Sequence, residues 1–245
     1  MTIADIGTLT RFLTKTNSTT FTEAQLLIFV NNSYERIVGK LIAQTSGGQM
    51  KFGDFNYTAF PSFAVTMTNS EPAYDLTDWG TTDEEAILTI LGVEVLDNDG
   101  NWHTLTPITL DEIRDKGIAL SEYQKTDGLP LEYEKRDNQI ILYPAPDNGV
   151  SVTLSGGLRV YSLRTADRFT SAEVTTGTKE PGFPSPWHDI IAYESSYQYA
   201  MANGMPNAGF YKSEMDRKER ELMSFIFKRN QDDRPIMTNK TINYI

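Results

Sequence analysis

Cysteine is absent from the 245 residues, and histidine occurs only twice. Without cysteine there is no disulfide framework, no thiolate zinc site and no cysteine nucleophile, and the chain suits synthesis in a reducing cytoplasm. Long hydrophobic runs are missing as well. The longest, residues 86–93, is interrupted by Thr89 and Gly92, far short of the roughly 20 residues that a membrane-spanning helix needs. Residues 1–5 carry no basic n-region, and no apolar h-region follows, so signal-directed export is not expected. Phosphate-cradling loops, a Gly-x-Ser-x-Gly elbow, a Gly-x-Gly-x-x-Gly turn and a His-Glu-x-x-His pair are absent too. No metal, no cofactor and no enzymatic activity are expected on this reading.

Positive charge is scarce: 22 Lys and Arg stand against 33 Asp and Glu, a formal net charge of −11. The imbalance is local. Residues 71–115 hold twelve acids and one base, Arg114, while the other 200 residues hold 21 of each sign. Direct binding to nucleic-acid phosphates is therefore disfavoured, because it needs a basic patch. The simplest role for such a stretch is a solvated face. The sharper role is an acidic surface turned toward a cation, or toward a polyanion that it must not hold.

What is present reads as helix, then strands, then helices. Thr22 and Gln25 match a capping box, with Phe21 and Leu26 placed as a hydrophobic staple. Leu26, Val30, Tyr34, Ile37, Val38 and Leu41 then recur at helical spacing, so a helix is predicted over about 23–44, with Asn31, Asn32 and Ser33 on its polar face. Strands follow over about 50–165. Residues 86–96 form a β run that turns at 97–101 into Trp102 to Leu105, and a second hairpin brackets 135–138. Thr109 and Glu112 predict a short capped helix between them, and a further strand is predicted at 150–161. Residues 171–186 read as a loop. A helix headed by Ser185 and Pro186 follows, with Ile190, Ile191, Tyr193, Tyr197 and Met201 as its buried stripe. The last helix spans about 206–229, with Phe210, Tyr211, Met215, Leu222, Phe225 and Ile226 apolar and Glu214–Lys218 and Asp216–Arg220 as surface pairs.

The predicted fold class is therefore α+β. A small bundle of one N-terminal and two C-terminal helices (1–48 and 166–230) carries an inserted antiparallel β-subdomain (49–165), followed by an extended tail (231–245). The tail holds Pro235, Ile236, Met237, Ile242, Tyr244 and Ile245 without helical period. Fifteen residues with that apolar content are expected to dock, on this chain or on a neighbour by strand addition.

Few residues point to chemistry. His103 lies in a predicted strand, and His188 lies in a helix's first turn, three residues after Ser185. Asp97, Asp99 and Gly100 resemble the start of a calcium loop, but the glycine arrives at the fourth position rather than the sixth, which reads as a turn. Glu84 and Glu85 are adjacent, so in a strand they face opposite ways and cannot share a proton.

One resemblance emerges from order rather than from any single motif. Gly128, Pro130 and Tyr133 are followed by the strand ending at Tyr143, then Pro144 and Pro146, then Leu158 to Tyr161, a proline loop at 181–186, and Trp187 and His188 before a Tyr/Ala-rich helix. Over about 120–202 this resembles the head-to-tail adaptor proteins of tailed bacteriophages, also called connector or head-completion proteins. The resemblance implies a structural virion protein at the head–tail junction. Such a protein forms a homo-oligomeric, twelve-fold ring under the portal protein, contacts the next tail or neck component, and extends a channel through which double-stranded DNA passes without specific binding. The residues themselves fit that picture: Asp83, Glu84, Glu85, Glu94, Asp97 and Asp99 are expected as an acidic face that lines the channel and repels DNA, and Pro235, Ile236, Ile242, Tyr244 and Ile245 as the part of the tail that docks on a partner. No membrane is involved. An alternative is a tail-associated or receptor-binding virion protein stacking Trp79, Trp102 or Trp187 on glycan. A third reading is an acidic hydrolase with a carboxylate pair that only the fold brings together.

Overall fold

The first helix opens on a reciprocal cap. The structure, a computed structural model, describes residues 1–45, 53–56, 62–75, 87–115, 117, 126–137 and 139–229. In α1 (Ile3–Thr14) the Asp5 amide donates to the Thr2 hydroxyl at 3.2 Å, and the Thr2 amide donates to the Asp5 carboxylate at 3.1 Å. The sequence predicts one helix ahead of the strands, and α1 is an additional one. Its buried face sets Thr10 and Thr14 beside Ile3 and Ile6. Both hydroxyls donate to carbonyls four residues back, at 2.8 Å each. Satisfied in this way, threonine fills core positions that apolar periodicity counts as polar. Helix α2 (Glu23–Thr45) begins at the predicted cap, where the Thr22 amide donates to Gln25 Oε1 at 3.1 Å and the Gln25 amide donates to Thr22 Oγ1 at 3.4 Å. Phe21 and Leu26 are fully buried beside it. The predicted polar face is only partly polar. Ser33 is buried, and Asn31 clamps the Phe169 backbone with two 2.9 Å hydrogen bonds, because the returning chain packs there.

The strands are β1 (Ser62–Val65), β2 (Ala73–Asp75), β3 (Ile87–Leu96), β4 (Trp102–Thr104) and β5 (Thr106–Pro107), then helix α3 (Leu110–Asp115), then β6 (Glu132–Arg136), β7 (Gln139–Tyr143) and β8 (Leu158–Arg164). Among the described residues they form two four-stranded sheets, β1-β8-β3-β4 and β2-β7-β6-β5. Pairing is antiparallel except between β5 and β6, which run parallel through Thr106↔Glu132 and Pro107↔Tyr133. The chain between them, including α3, is the long crossover that a parallel pair requires. Alternation turns Val93, Val95, Leu158 and Val160 of one sheet toward Tyr133, Ile140 and Leu142 of the other, so the two sheets share one apolar core. On the outer face of the second sheet, Ile113 of α3 packs with Ile108, Ile141 and Tyr143. The predicted strand at 150–161 forms only from Leu158. Before it, Val152 makes a single bridge to Asp97, and at Gly157 a Cβ would run into the Thr153 carbonyl.

The chain then returns to helix. Part of the predicted loop is α4 (Ser171–Thr176), where the Thr170 amide donates to Glu173 at 2.7 Å and Val174 is buried. The predicted first turn at Ser185 is a 3-10 turn (Ser185–Trp187), and α5 (Asp189–Ala202) follows. Helix α5 packs against α1, α2 and α6 (Ala208–Arg229). Of its predicted stripe, Ile190 and Ile191 are fully buried and Tyr193 and Tyr197 half-buried, while Met201 is 59% exposed; burial is wider than the stripe, enclosing Ala192, Ser195, Ser196 and Ala200 as well. Among the described residues four long helices build this bundle, the predicted three and α1. Strand β8 joins the two cores: Leu158 and Val160 lie between the sheets, and Leu163 lies in the helical core. No helix among the described residues is long and apolar enough to cross a membrane.

Candidate functional site

Of the six acids read as a channel face, Asp83, Glu84 and Glu85 lie outside the described residues, as does the whole tail with Pro235, Ile236, Ile242, Tyr244 and Ile245. The other three are placed. Glu94 stands on the outer face of the first sheet, where the Tyr161 hydroxyl donates to it at 2.9 Å and Arg159 lies 3.5 Å away. The same guanidinium sits 3.7 Å over the Trp102 ring. Asp97 opens the β3–β4 turn. It accepts from the Asn101 amide at 2.7 Å and contacts His103 Nε2 at 2.7 Å. The His103 contact leads, and with the Asn101 amide it holds the Asp97 carboxyl down at about 2. Asp99 is exposed at the turn. Glu94 and Asp97 thus sit in two separately partnered clusters, with Asp99 as the open charge.

His188 is buried rather than poised: Nε2 lies 2.7 Å from the Phe183 carbonyl, and Nδ1 lies 3.0 Å from the Met1 carbonyl and 3.2 Å from its amino group. Among the described residues no group of three or more His, Asp or Glu side chains is arranged to hold a metal ion.

The most tightly built polar site joins the bundle to the strand region. The Tyr34 hydroxyl donates to Asp54 Oδ2 and accepts from the Gly182 amide at 2.7 Å and from Asn56 Nδ2 at 3.3 Å. Asp54 also accepts from the amides of Asn56 at 3.0 Å and Asp167 at 2.9 Å. Burial pushes the Asp54 carboxyl above the usual carboxylate range, against these donors. It also pushes the Tyr34 phenol up, aided by the Asp54 charge. Glycine is required at 182 by space: a Cβ there would overlap Asp54 Oδ1 and stand 2.8 Å from the Phe55 amide nitrogen. The Tyr34 hydroxyl and both Asp54 oxygens have partners, so this site is a fastening.

An open surface runs along α6. Tyr211, Met215, Leu222 and Ile226 bury one side of the helix. Its position is held by Lys218 on Asp189 at 2.6 Å and by Glu219, which binds Arg36 at 2.9 Å and Lys40. Arg36 also grips the nearly buried Glu194 of α5. The predicted surface pairs are replaced: Glu214 binds Arg217 at 2.8 Å, and Arg217 reaches Glu221 at 2.6 Å. The opposite face is a groove of about 460 Å³ lined by Arg217, Arg220, Glu221, Ser224, Phe225 and Lys228. Arg220 and Lys228 form no ion pair with any described residue. Phe225, read from sequence as part of the apolar stripe, stacks on Trp187 at 4.8 Å and stays 42% exposed, and Phe227 is 57% exposed. At the other end of α6, Phe210 is 59% exposed, and the Tyr211 hydroxyl reaches the Leu13 carbonyl at 2.6 Å. That bond places Phe210 near the end of α1, where Phe12 is 79% exposed.

A second pocket, also of about 460 Å³, opens on the second sheet between Thr106, Leu131, Glu132, Tyr143 and Pro144. Tyr143 packs with Ile113 of α3, and Asp111, Glu112 and Asp115 of that helix are exposed. Sequence reasoning missed both surfaces. The signal for the first was the i, i+3, i+4, i+7 recurrence of Arg217, Arg220, Glu221 and Ser224 next to two phenylalanines. The pocket left no signal, because its walls come from three separate segments. No protein-family model matches the chain, and no curated protein matches it in sequence.

Proposed function

We propose that this chain is a structural virion protein of the head-to-tail adaptor kind. Copies form a ring, dodecameric on the family pattern, beneath the portal protein. The ring extends the DNA channel and presents a surface to the next tail or neck component. The observation that carries this reading is the uncovered apolar side chains at both ends of α6, Phe12 and Phe210 at one end and Phe225 and Phe227 at the other, on a bundle whose own core is filled. Large aromatics left in water at two poles of one element suit a chain held between partners. The 231–245 sequence adds apolar residues directly after one of those poles.

The test is imaging of source particles with gold-labelled antibody against the chain. Label at the capsid–tail junction supports the adaptor role. Label at the tail tip or fibres transfers the chain to receptor binding, and unlabelled particles remove it from the virion.

A further inference from the structure

We infer that the ring closes head to tail: the exposed face of α6 on one copy docks on the acidic α3 side of the second sheet on the next copy. The inference rests on the ring reading above and names the two surfaces that would make it.

Charge complementarity carries it. Residues 71–115 hold the entire net charge of −11, so identical copies repel wherever those regions meet. A repeating contact that sets each acidic region against the bundle of its neighbour removes that repulsion. Helix α6 supplies the matching sign, with Arg220 and Lys228 exposed and unpaired among the described residues. On the facing copy, Asp111 is 82% exposed with only the exposed Arg114 beside it, and Asp115 is exposed at the end of α3.

Shape agrees with charge. Phe227 projects from α6 one residue before Lys228, and the pocket of Thr106, Leu131, Glu132, Tyr143 and Pro144, whose Tyr143 packs on Ile113 of α3, offers an apolar wall with Leu131 60% exposed and one carboxylate for the lysine. An apolar knob on one surface and a pocket on a different surface of the same chain make a heterologous contact, the kind that a ring repeats around its axis. Duplex DNA fits the α6 face less well. Glu214 and Glu221 are interleaved with its cations, and the exposed phenylalanines give phosphate nothing.

The test uses two reversed full-length chains, Arg220→Glu with Lys228→Glu and Asp111→Lys with Asp115→Lys, in sedimentation velocity and negative-stain imaging. Circular dichroism melts check that each folds. The unmodified chain is expected to self-associate, more weakly as salt rises. Each reversed chain alone stays monomeric, and an equimolar mixture reassembles with the two chains alternating. Phe227→Ala weakens self-association about 30-fold, as the loss of one anchoring aromatic does. A monomeric unmodified chain, reversed chains that assemble unaided, or a mixture that stays monomeric would each overturn the contact. Loss of duplex-DNA binding with assembly unchanged would reassign the α6 face to nucleic acid. If the 231–245 deletion bares α6 to hydrogen exchange in the monomer, the occupant is the chain's own tail. Rings that ignore the reversals leave the adaptor reading standing without this contact. Unlabelled head–tail junctions remove that reading whatever the mixture does.

Discussion

Replacing Tyr34 by Phe deletes one oxygen at the fastening between α2, Asp54 and the 182 loop. The hydroxyl accepts the Gly182 amide at 2.7 Å and donates to the buried Asp54 carboxylate. Its loss leaves a buried N–H without its acceptor, costing about 1–3 kcal/mol, and takes a donor from a charged group, worth about 1.5–3 kcal/mol. The two share one site, so the expected sum is about 2–4 kcal/mol. In a urea titration followed by circular dichroism this moves the midpoint of the helical transition by about 1 M. A chain of this size loses roughly 4–16 °C in Tm. The cost also depends on pH. The Tyr34 donor stabilises the charged form of Asp54, so Tyr34→Phe raises the Asp54 pKa beyond its already elevated position. The folded variant then binds the Asp54 proton more tightly, so its deficit is largest at neutral pH and shrinks as pH falls through that pKa. A loss below about 0.5 kcal/mol, within the range of an ordinary surface substitution, would refute the account. So would a Gly182→Ala chain as stable as the parent, since its Cβ has no room beside Asp54.

Four further outcomes are expected. Arg36→Ala leaves Glu194, with 6% of its side chain exposed, without its partner, and costs about 3 kcal/mol in the same melts. Asp97, held at about 2 against an ordinary 3.8, contributes stability that is present above the ordinary value and lost as pH falls from about 4 to 2; carbon-detected NMR titration of its carboxyl reads this directly, and an ordinary midpoint rejects the His103 pairing. Deletion of 231–245 leaves the melting curve unchanged and abolishes assembly on the portal; a truncated chain that unfolds makes the tail an intramolecular element. Amide replacement of Asp83, Glu84, Glu85, Glu94, Asp97 and Asp99 slows genome passage in ejection assays, and unchanged kinetics remove the channel-lining role.

The acidic residues show how far each level of reasoning reaches. That all of the excess charge lies within 71–115 is a count. Whether a given acid is open or spent depends on its neighbours in space. Glu94 meets Tyr161 and Arg159, far along the chain, whereas Asp97 and Glu112 find partners within a few residues. The helices divide the same way. The cap of α2 was legible because Thr22 and Gln25 bond to each other across three residues. Helix α1 was not, because its buried face uses threonines that bond inward to their own helix.

By itself, the sequence determined what short-range chemistry determines: the α2 and α3 starts, the two hairpins, the α+β order, and the charge imbalance. The tertiary structure alone decided the parallel β5–β6 pair, the Tyr34–Asp54–Gly182 fastening, and which phenylalanines of α6 remain in water. Those features join positions up to 148 residues apart. Burial and hydrogen-bond satisfaction are properties of packed surfaces, and no local spacing records which surfaces will meet.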